Sequence, residues 1–472
     1  MKKFLIVVLL LCLLVVGGIV GMALMSFNPS AYERDVVAYL QRLTGREVSV
    51  EGTTAISWNP EPTVTMQNVK ISNMDKAKNP IMLSIEKVKV SIAWESLLKS
   101  PLEIKRIELT RPVLYLERLE SNRANYSFPF LLDPNFQLQE MAILSDPASA
   151  TTKIDTILIK DGRIGYENQI TGTAFQVTGV NGTLAVDTVR GPYRFKGTGM
   201  SGKGQYAVEA SVGTFQGSTP VPVTVQLSES NTRLDLKTTG NLTPVGVDKW
   251  YDGAIRYDIG RLDALLTDLN WPIPDLSAGA VAGGTATLII APASDMLKDF
   301  VITIGEEGKG TALTGKITRT ISGKKYAYDA DVSTNLLRLN QWKNYWNLLN
   351  WEWLSGEKEY PNIRFKVYAN DVLAGQVGLQ EVSLKGNYQN NVLTMEESQA
   401  KLPDGGKLTL TAVGKSQNPE PYLDIGLRVE TPKFGEMLSQ SGVDQKWAQM
   451  PFLNQKSNFI GRVVVTPKDT TI

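Results

Sequence analysis

The sequence contains no histidine and a single cysteine, Cys12. Without histidine the chain lacks the usual general base at neutral pH and the commonest zinc ligand. With one thiol it can form no intrachain disulfide, no cysteine metal cluster and no Cys/His dyad. A charge excess is missing too. Lys+Arg 49 stands against Asp+Glu 48, so no basic field exists to neutralise phosphates and nucleic acid is disfavoured as a partner. The commonest enzyme chemistries are disfavoured with it: we expect no catalytic residues, no metal site and no cofactor. A carboxylate pair formed only in space stays open, but no spacing points to one.

Long helical patterns are scarce. Leu262, Leu265, Leu266 and Leu269 mark one helix, a second is expected around Asn335 to Leu349, and Phe434, Met437 and Leu438 mark a third. Alternation fills the rest. In Lys87-Val88-Lys89-Val90-Ser91-Ile92 the apolar residues share one face and the polar residues the other, the period of a half-buried strand. The same period recurs in Arg233-Leu234-Asp235-Leu236-Lys237, Ile363 to Val367, Lys407-Leu408-Thr409-Leu410-Thr411 and Leu423 to Val429. Turn signals such as Asn59-Pro60, Asn79-Pro80, Ser100-Pro101 and Asp404-Gly405-Gly406 punctuate these runs. Such spacing predicts a mainly β chain, a long antiparallel meander of roughly 20 to 25 strands with few short helices.

Gly197-Thr198-Gly199-Met200-Ser201-Gly202-Lys203-Gly204 imitates a phosphate-binding loop. The imitation fails twice: Gly204 stands where a magnesium-binding Ser or Thr is needed, and Tyr206, Val208 and Ala210 alternate where a helix should begin. A hairpin turn is expected instead. Trp342, Trp346, Trp351 and Trp353 cluster near Tyr345. Packing of a helix on the sheet accounts for them better than a ligand or membrane headgroups.

Phe4 to Met25 carries no formal charge. As a helix it would cover roughly 33 Å, enough for a bilayer core. A cleaved signal peptide is the competing reading, since Gly21-Met22-Ala23 offers small residues, but the apolar run is longer than the usual limit of about 15. Lys2 and Lys3 ahead of it favour a cytoplasmic N-terminus, which places the bulk of the chain outside the cytoplasm, in a bacterium the periplasm. Asn28-Pro29 then opens an amphipathic helix carrying Tyr32, Val36, Tyr39, Leu40 and Leu43, and Gly45 closes it. Packing on the first strands and lying on a membrane surface are both open to this helix.

The order of segments then becomes distinctive. Leu43-Thr44-Gly45-Arg46 leads into Val48-Ser49-Val50-Glu51-Gly52, Val69 to Asn73, Ile85 to Ile92, Ser96-Leu97-Leu98, Ile104 to Leu109 and Pro112 to Glu117, closing on Asn125-Tyr126-Ser127-Phe128. It resembles the AsmA family of bacterial envelope proteins, and Ile157 to Tyr166 resembles that family's second half. The expected organisation is an anchor over 1–27, an AsmA-like module over 28–132, a linker-like stretch over 133–152 and an elongated antiparallel β-sheet over 153–472.

The resemblance implies a curled, open trough related to bridge-like lipid transfer proteins, holding phospholipid acyl chains on its dry face and moving lipid between inner and outer membranes. Its lining would include Val88, Val90, Ile92, Leu109, Leu234, Leu236, Leu408 and Leu410, each of which has an ordinary core explanation as well. The implied partners are phospholipids, the inner membrane through residues 4–25, and envelope or outer-membrane assembly proteins. A closed sheet acting as a non-enzymatic scaffold in outer-membrane protein assembly is the alternative.

Overall fold

The computed structural model describes residues 37–38, 41, 44–95, 103–119, 123–126, 153–169, 172–188, 191–216, 219–243, 250–268, 280–291, 293–306, 310–322, 325–339, 361–374, 377–415, 422–435, 455–466 and 470–471. The expected anchor, the linker-like stretch and the tryptophan cluster lie outside these residues. Among the described residues no helix is long and apolar enough to cross a membrane.

The chain divides into two compact units, 1–231 with 237–246, and 232–236 with 247–472. The boundary falls within the region 153–472 that reads as one from the sequence. The first unit holds β1 (Val48–Val50), β2 (Ala55–Ser57), β3 (Thr63–Ser72), β4 (Ile81–Ile92), β5 (Glu103–Arg118), β6 (Lys153–Asn168), β7 (Thr173–Val186), β8 (Tyr193–Ser201), β9 (Gly204–Val212) and β10 (Val221–Glu229). β11 (Leu234–Leu242) runs through the boundary. The second unit holds β12 (Tyr251–Ile259), α1 (Leu262–Asp268), β13 (Val281–Ile290), β14 (Ser294–Gly305), β15 (Thr311–Ser322), β16 (Lys325–Arg338), β17 (Asn362–Ala374), β18 (Val377–Gln389), β19 (Val392–Lys401), β20 (Lys407–Lys415), β21 (Tyr422–Thr431), β22 (Ser457–Val465) and β23 (Thr470–Thr471).

The strands pair largely in chain order, as a meander requires. Among the pairs whose register is described, pairing is antiparallel except at β5–β6 and β16–β17, which are parallel. Those exceptions correct a wholly antiparallel reading. Both fall where the chain between neighbouring strands is long, from Arg118 to Lys153 and from Arg338 to Asn362, and a parallel pair needs a crossover of a dozen or more residues, roughly. The helix expected around Asn335 to Leu349 is corrected over its first residues, because Asn335 to Arg338 belong to β16. Beyond Leu339 its remainder lies outside the described residues, as does Leu269. α1 agrees with the expected helix, burying Leu262, Leu265 and Leu266.

Turn chemistry sets the hairpins. Asn390 and Asn391 both take positive φ, 50° and 66°, the requirement of a two-residue turn whose twist matches that of the strands. The turn joins Gln389 to Val392. The imitation phosphate loop is likewise a hairpin, with Ser201 paired to Gly204. Its glycines clear space for packing: a Cβ at Gly197 would meet the Phe195 ring at 2.6 Å, and one at Gly199 would meet Val177 at 2.6 Å.

In the first unit a transverse crease crosses the sheet. Asn68, Arg111 and Asp161 have φ of 52°, 47° and 52°, and Gly179 has 57°. Asn68 and Arg111 flank Glu86, which is ion-paired with Arg111. Each left-handed residue shifts the strand's alternation by one. On β5, Ile107 and Leu109 are buried before the crease and Leu114 and Leu116 after it. Apolar side chains thus stay on one face although their parity changes.

The two ends of the module that resembles AsmA meet in the structure. Gly45 takes φ 62° and its N–H donates to the Gln41 carbonyl at 2.8 Å, closing the helix to which Val37, Ala38 and Thr44 also belong. The Arg46 guanidinium donates to the Asn125 carbonyl at 3.3 Å. Burial lowers its basicity, Arg123 adds to that and Asp75 opposes it. Asn125 is wholly buried; its amide donates to the Tyr115 carbonyl and its Oδ1 accepts from the Glu117 N–H, at 2.7 and 2.8 Å. The Glu117 carboxylate, 1% exposed, accepts the Lys78 and Asn79 N–H groups at 2.7 and 3.0 Å. This network satisfies groups that burial would otherwise penalise. Val37 and Tyr126 pack against the core beside it.

Candidate functional site

Residues directly opposite on paired strands share a face of the sheet, so the registers reveal which side chains line up across it. In the first unit one row runs Ile56, Val64, Val90, Ile107, Ile157, Leu184, Phe195, Ala210 and Val225. A second runs Met66, Val88, Leu109, Ile159, Gly182, Gly197, Val208 and Leu227. Neither contains a polar residue. Most of these side chains are buried, Ile107 entirely, within one cluster extending from β1 to β10. This face of the first unit is therefore a packed core.

The second unit repeats the pattern without closing it. One row crosses eleven strands from β12 to β22: Gly253, Leu288, Leu297, Ile317, Ala330, Phe365, Gly386, Met395, Ala412, Ile425 and Val463. None is polar. At about 4.8 Å between strands the row is on the order of 48 Å long. Leu297, Ile317, Phe365, Met395, Ile425 and Val463 all remain partly exposed. The opposite face carries ion pairs, Asp329 with Arg364 and Asp424 with Arg462. A water-facing side and an apolar side are thereby separated strand by strand, and the apolar side is a groove.

Two residues along each strand, about 7 Å away, a rim row runs Tyr251, Ile290, Asp295, Arg319, Tyr328, Ile363, Tyr388, Leu393, Gly414, Leu423 and Val465. Asp295 and Arg319 form an ion pair and are the only charges in either row. Burial works against the Arg319 charge, but the hydrogen bonds and charges of Asp295 and Tyr328 together outweigh it, so its basicity is raised. The guanidinium also lies 5.5 Å from the centre of the Tyr326 ring.

The residues expected from the sequence fall in both units. Val88 and Leu109 are direct register partners and, with Val90, are buried in the core of the first unit; Ile92 packs against that core half-buried. Leu234 is buried and Leu236 half-buried on β11. Leu408 and Leu410 are half-buried opposite Val429 and Leu427. Sequence reading missed the long row of the second unit and the Asp295–Arg319 pair. The only available signal was parity, since Asp295 is two residues from Leu297 and Arg319 two from Ile317. A depression of about 410 Å³ lies on the outer face of the first unit, lined by Lys160, Asn181, Lys196 and Glu209 among others. Its two lysines are already paired, Lys160 with Glu108 and Lys196 with Glu209.

The sequence model of the AsmA family matches residues 1–232, a stretch that ends beside the first unit's boundary at Asn231. Neither curated proteins nor solved structures furnish a match.

Proposed function

With residues 1–232 belonging to the AsmA family, we propose that this protein holds phospholipid acyl chains against its apolar sheet face and helps move lipid between the inner and outer membranes of a bacterial envelope. The carrying observation is the unbroken apolar row from Gly253 to Val463, whose large side chains apart from Leu288 remain partly exposed. At about 48 Å it exceeds one leaflet's acyl chains, about 15 Å, so lipids could occupy it in succession. The working part is then a lining rather than a reacting centre, and the protein is not an enzyme. Residues 4–25 serve as a single inner-membrane span, with the bulk of the chain in the periplasm.

Photoreactive residues test this in cells carrying the full chain. One placed at Phe365, on the apolar row, should yield a lipid adduct; one at Arg364, on the opposite face, should not. Adducts at neither position, or at both equally, would remove the support for lipid carriage.

A second reading has an observation of its own. Among the described residues β22 pairs with β23 at Val464 and Val465, and Ile460 on β22 is 73% exposed. An edge of this kind accepts a partner strand, as a scaffold for envelope assembly proteins would. Capture of a protein by a crosslinker at Ile460, with no lipid at Phe365, would favour it.

A further inference from the structure

Asp295 and Arg319 stand out because of where they sit. Cross-strand ion pairs such as Asp329–Arg364 and Asp424–Arg462 are on the water-facing side of the second unit, where charge serves solubility. Asp295–Arg319 occupies the rim row of the apolar side, two residues from Leu297 and Ile317. There it removes charge from water for little gain, since a partly exposed pair contributes at most about 1 kcal/mol. The Asp295 side chain retains 15% of its exposure and that of Arg319 retains 40%, so both heads can be reached from the groove. Tyr328 and Tyr388 share the row; tyrosines suit such a boundary, with an apolar ring and a polar tip.

Resting on the lipid-carrying reading above, we infer that Asp295 and Arg319 form a headgroup subsite for a zwitterionic phospholipid, Arg319 taking the phosphate and Asp295 the cationic amine. A guanidinium offers a planar pair of N–H donors that fits phosphate oxygens, and a carboxylate accepts from an ammonium group. A zwitterion brings one charge of each sign, so the protein pair opens without leaving either member unpaired. An anionic headgroup satisfies Arg319 and leaves Asp295 facing like charge. Acyl chains beside the subsite lie on the row from Leu297 to Phe365, about 7 Å away.

The test uses the full chain purified in mild detergent, incubated with vesicles of equimolar phosphatidylethanolamine and phosphatidylglycerol, re-isolated and extracted for lipid analysis. Phosphatidylethanolamine should be enriched about fivefold over phosphatidylglycerol, the discrimination one partly exposed charge pair supports. Asp295→Asn should turn the preference toward phosphatidylglycerol. Arg319→Gln removes the phosphate contact common to both lipids and leaves Asp295 for the amine, so it should lower the total bound phospholipid while phosphatidylethanolamine stays in excess, and Asp329→Asn on the opposite face should leave the ratio as in the parent. Bound lipid in equimolar ratio, or a ratio that neither groove variant changes, overturns the subsite while leaving lipid carriage standing. Absence of any bound lipid in the parent overturns the carriage itself.

Discussion

Truncating one isoleucine in each unit should separate a packed core from an unfilled groove. Ile107 has no exposed surface and sits mid-row between Val90 and Ile157. Ile107→Ala removes buried apolar area and leaves a void among neighbours that cannot all collapse, at a cost of about 2–5 kcal/mol. Ile317 holds the comparable place between Leu297 and Ala330 but is partly exposed. Less area returns to water there and no sealed cavity forms, so Ile317→Ala should cost only about 1 kcal/mol. Two units are not expected to unfold as one, so a single transition would not define either cost. Hydrogen exchange read on peptides from β5 and from β15 in mild urea resolves them locally. The expected result is a large loss of protection in β5 and a small one in β15. Equal losses would mean that the second unit's apolar face is as closed as the first, with no room for acyl chains.

Three further outcomes follow from the geometry. Glu117→Ala should destabilise the first unit by about 2–4 kcal/mol, because the Lys78 and Asn79 N–H groups lose their acceptor; hydrogen exchange in β4 and β5 reads this. Gly284→Ala should distort the β13–β14 pairing, since its Cβ would stand 2.0 Å from the Val301 carbonyl oxygen, and exchange protection at those two strands should fall while β5 is unchanged. The Tyr126 hydroxyl is pushed up to about 12, by burial first and by Tyr166 next, from an ordinary 10.0. The folded state therefore favours the neutral phenol. That contribution is whole below pH 10.0 and drains as pH rises through about 12. Tyr126→Phe should flatten this alkaline limb, and denaturant midpoints at about pH 9 and about pH 11.5 compare the two proteins.

Much of the fold was legible because strand alternation is a local property. Val88 and Val90 reveal their common face within a few residues, and Asp404-Gly405-Gly406 announces its turn: the Gly406 N–H donates to Asp404 Oδ1 at 2.9 Å. What escaped was the outcome of pairing over distance. Arg111 and Asp161 take left-handed backbone angles that nothing in their side chains demands, and the parity of β5 and β6 changes there. Parallel pairing of β5 with β6 and of β16 with β17 is likewise invisible in the strands themselves. Only the length of the intervening chain hints at it. The family resemblance rested on Thr44-Gly45-Arg46 and Asn125-Tyr126, motifs 79 residues apart at Arg46 and Asn125 that prove to be one contact.

The same locality explains why the candidate groove was only partly foreseen. Leu408 and Leu410 lie on its face, yet a list of alternating leucines cannot distinguish them from Val88 and Leu109, which fill a core. That distinction depends on how completely a sheet face is covered, a property summed over many strands. Charge parity carries more information than hydrophobic parity here. An apolar residue fits a filled core and an open groove equally well, whereas an ion pair on the apolar face has to reach water or a polar ligand. Asp295 and Arg319 meet that condition at the rim, and so, on the lipid-carrying reading proposed above, the pair rather than any of the leucines would orient a lipid: headgroups along the row of Tyr251, Arg319 and Tyr328, acyl chains along the row of Leu297, Ile317 and Phe365.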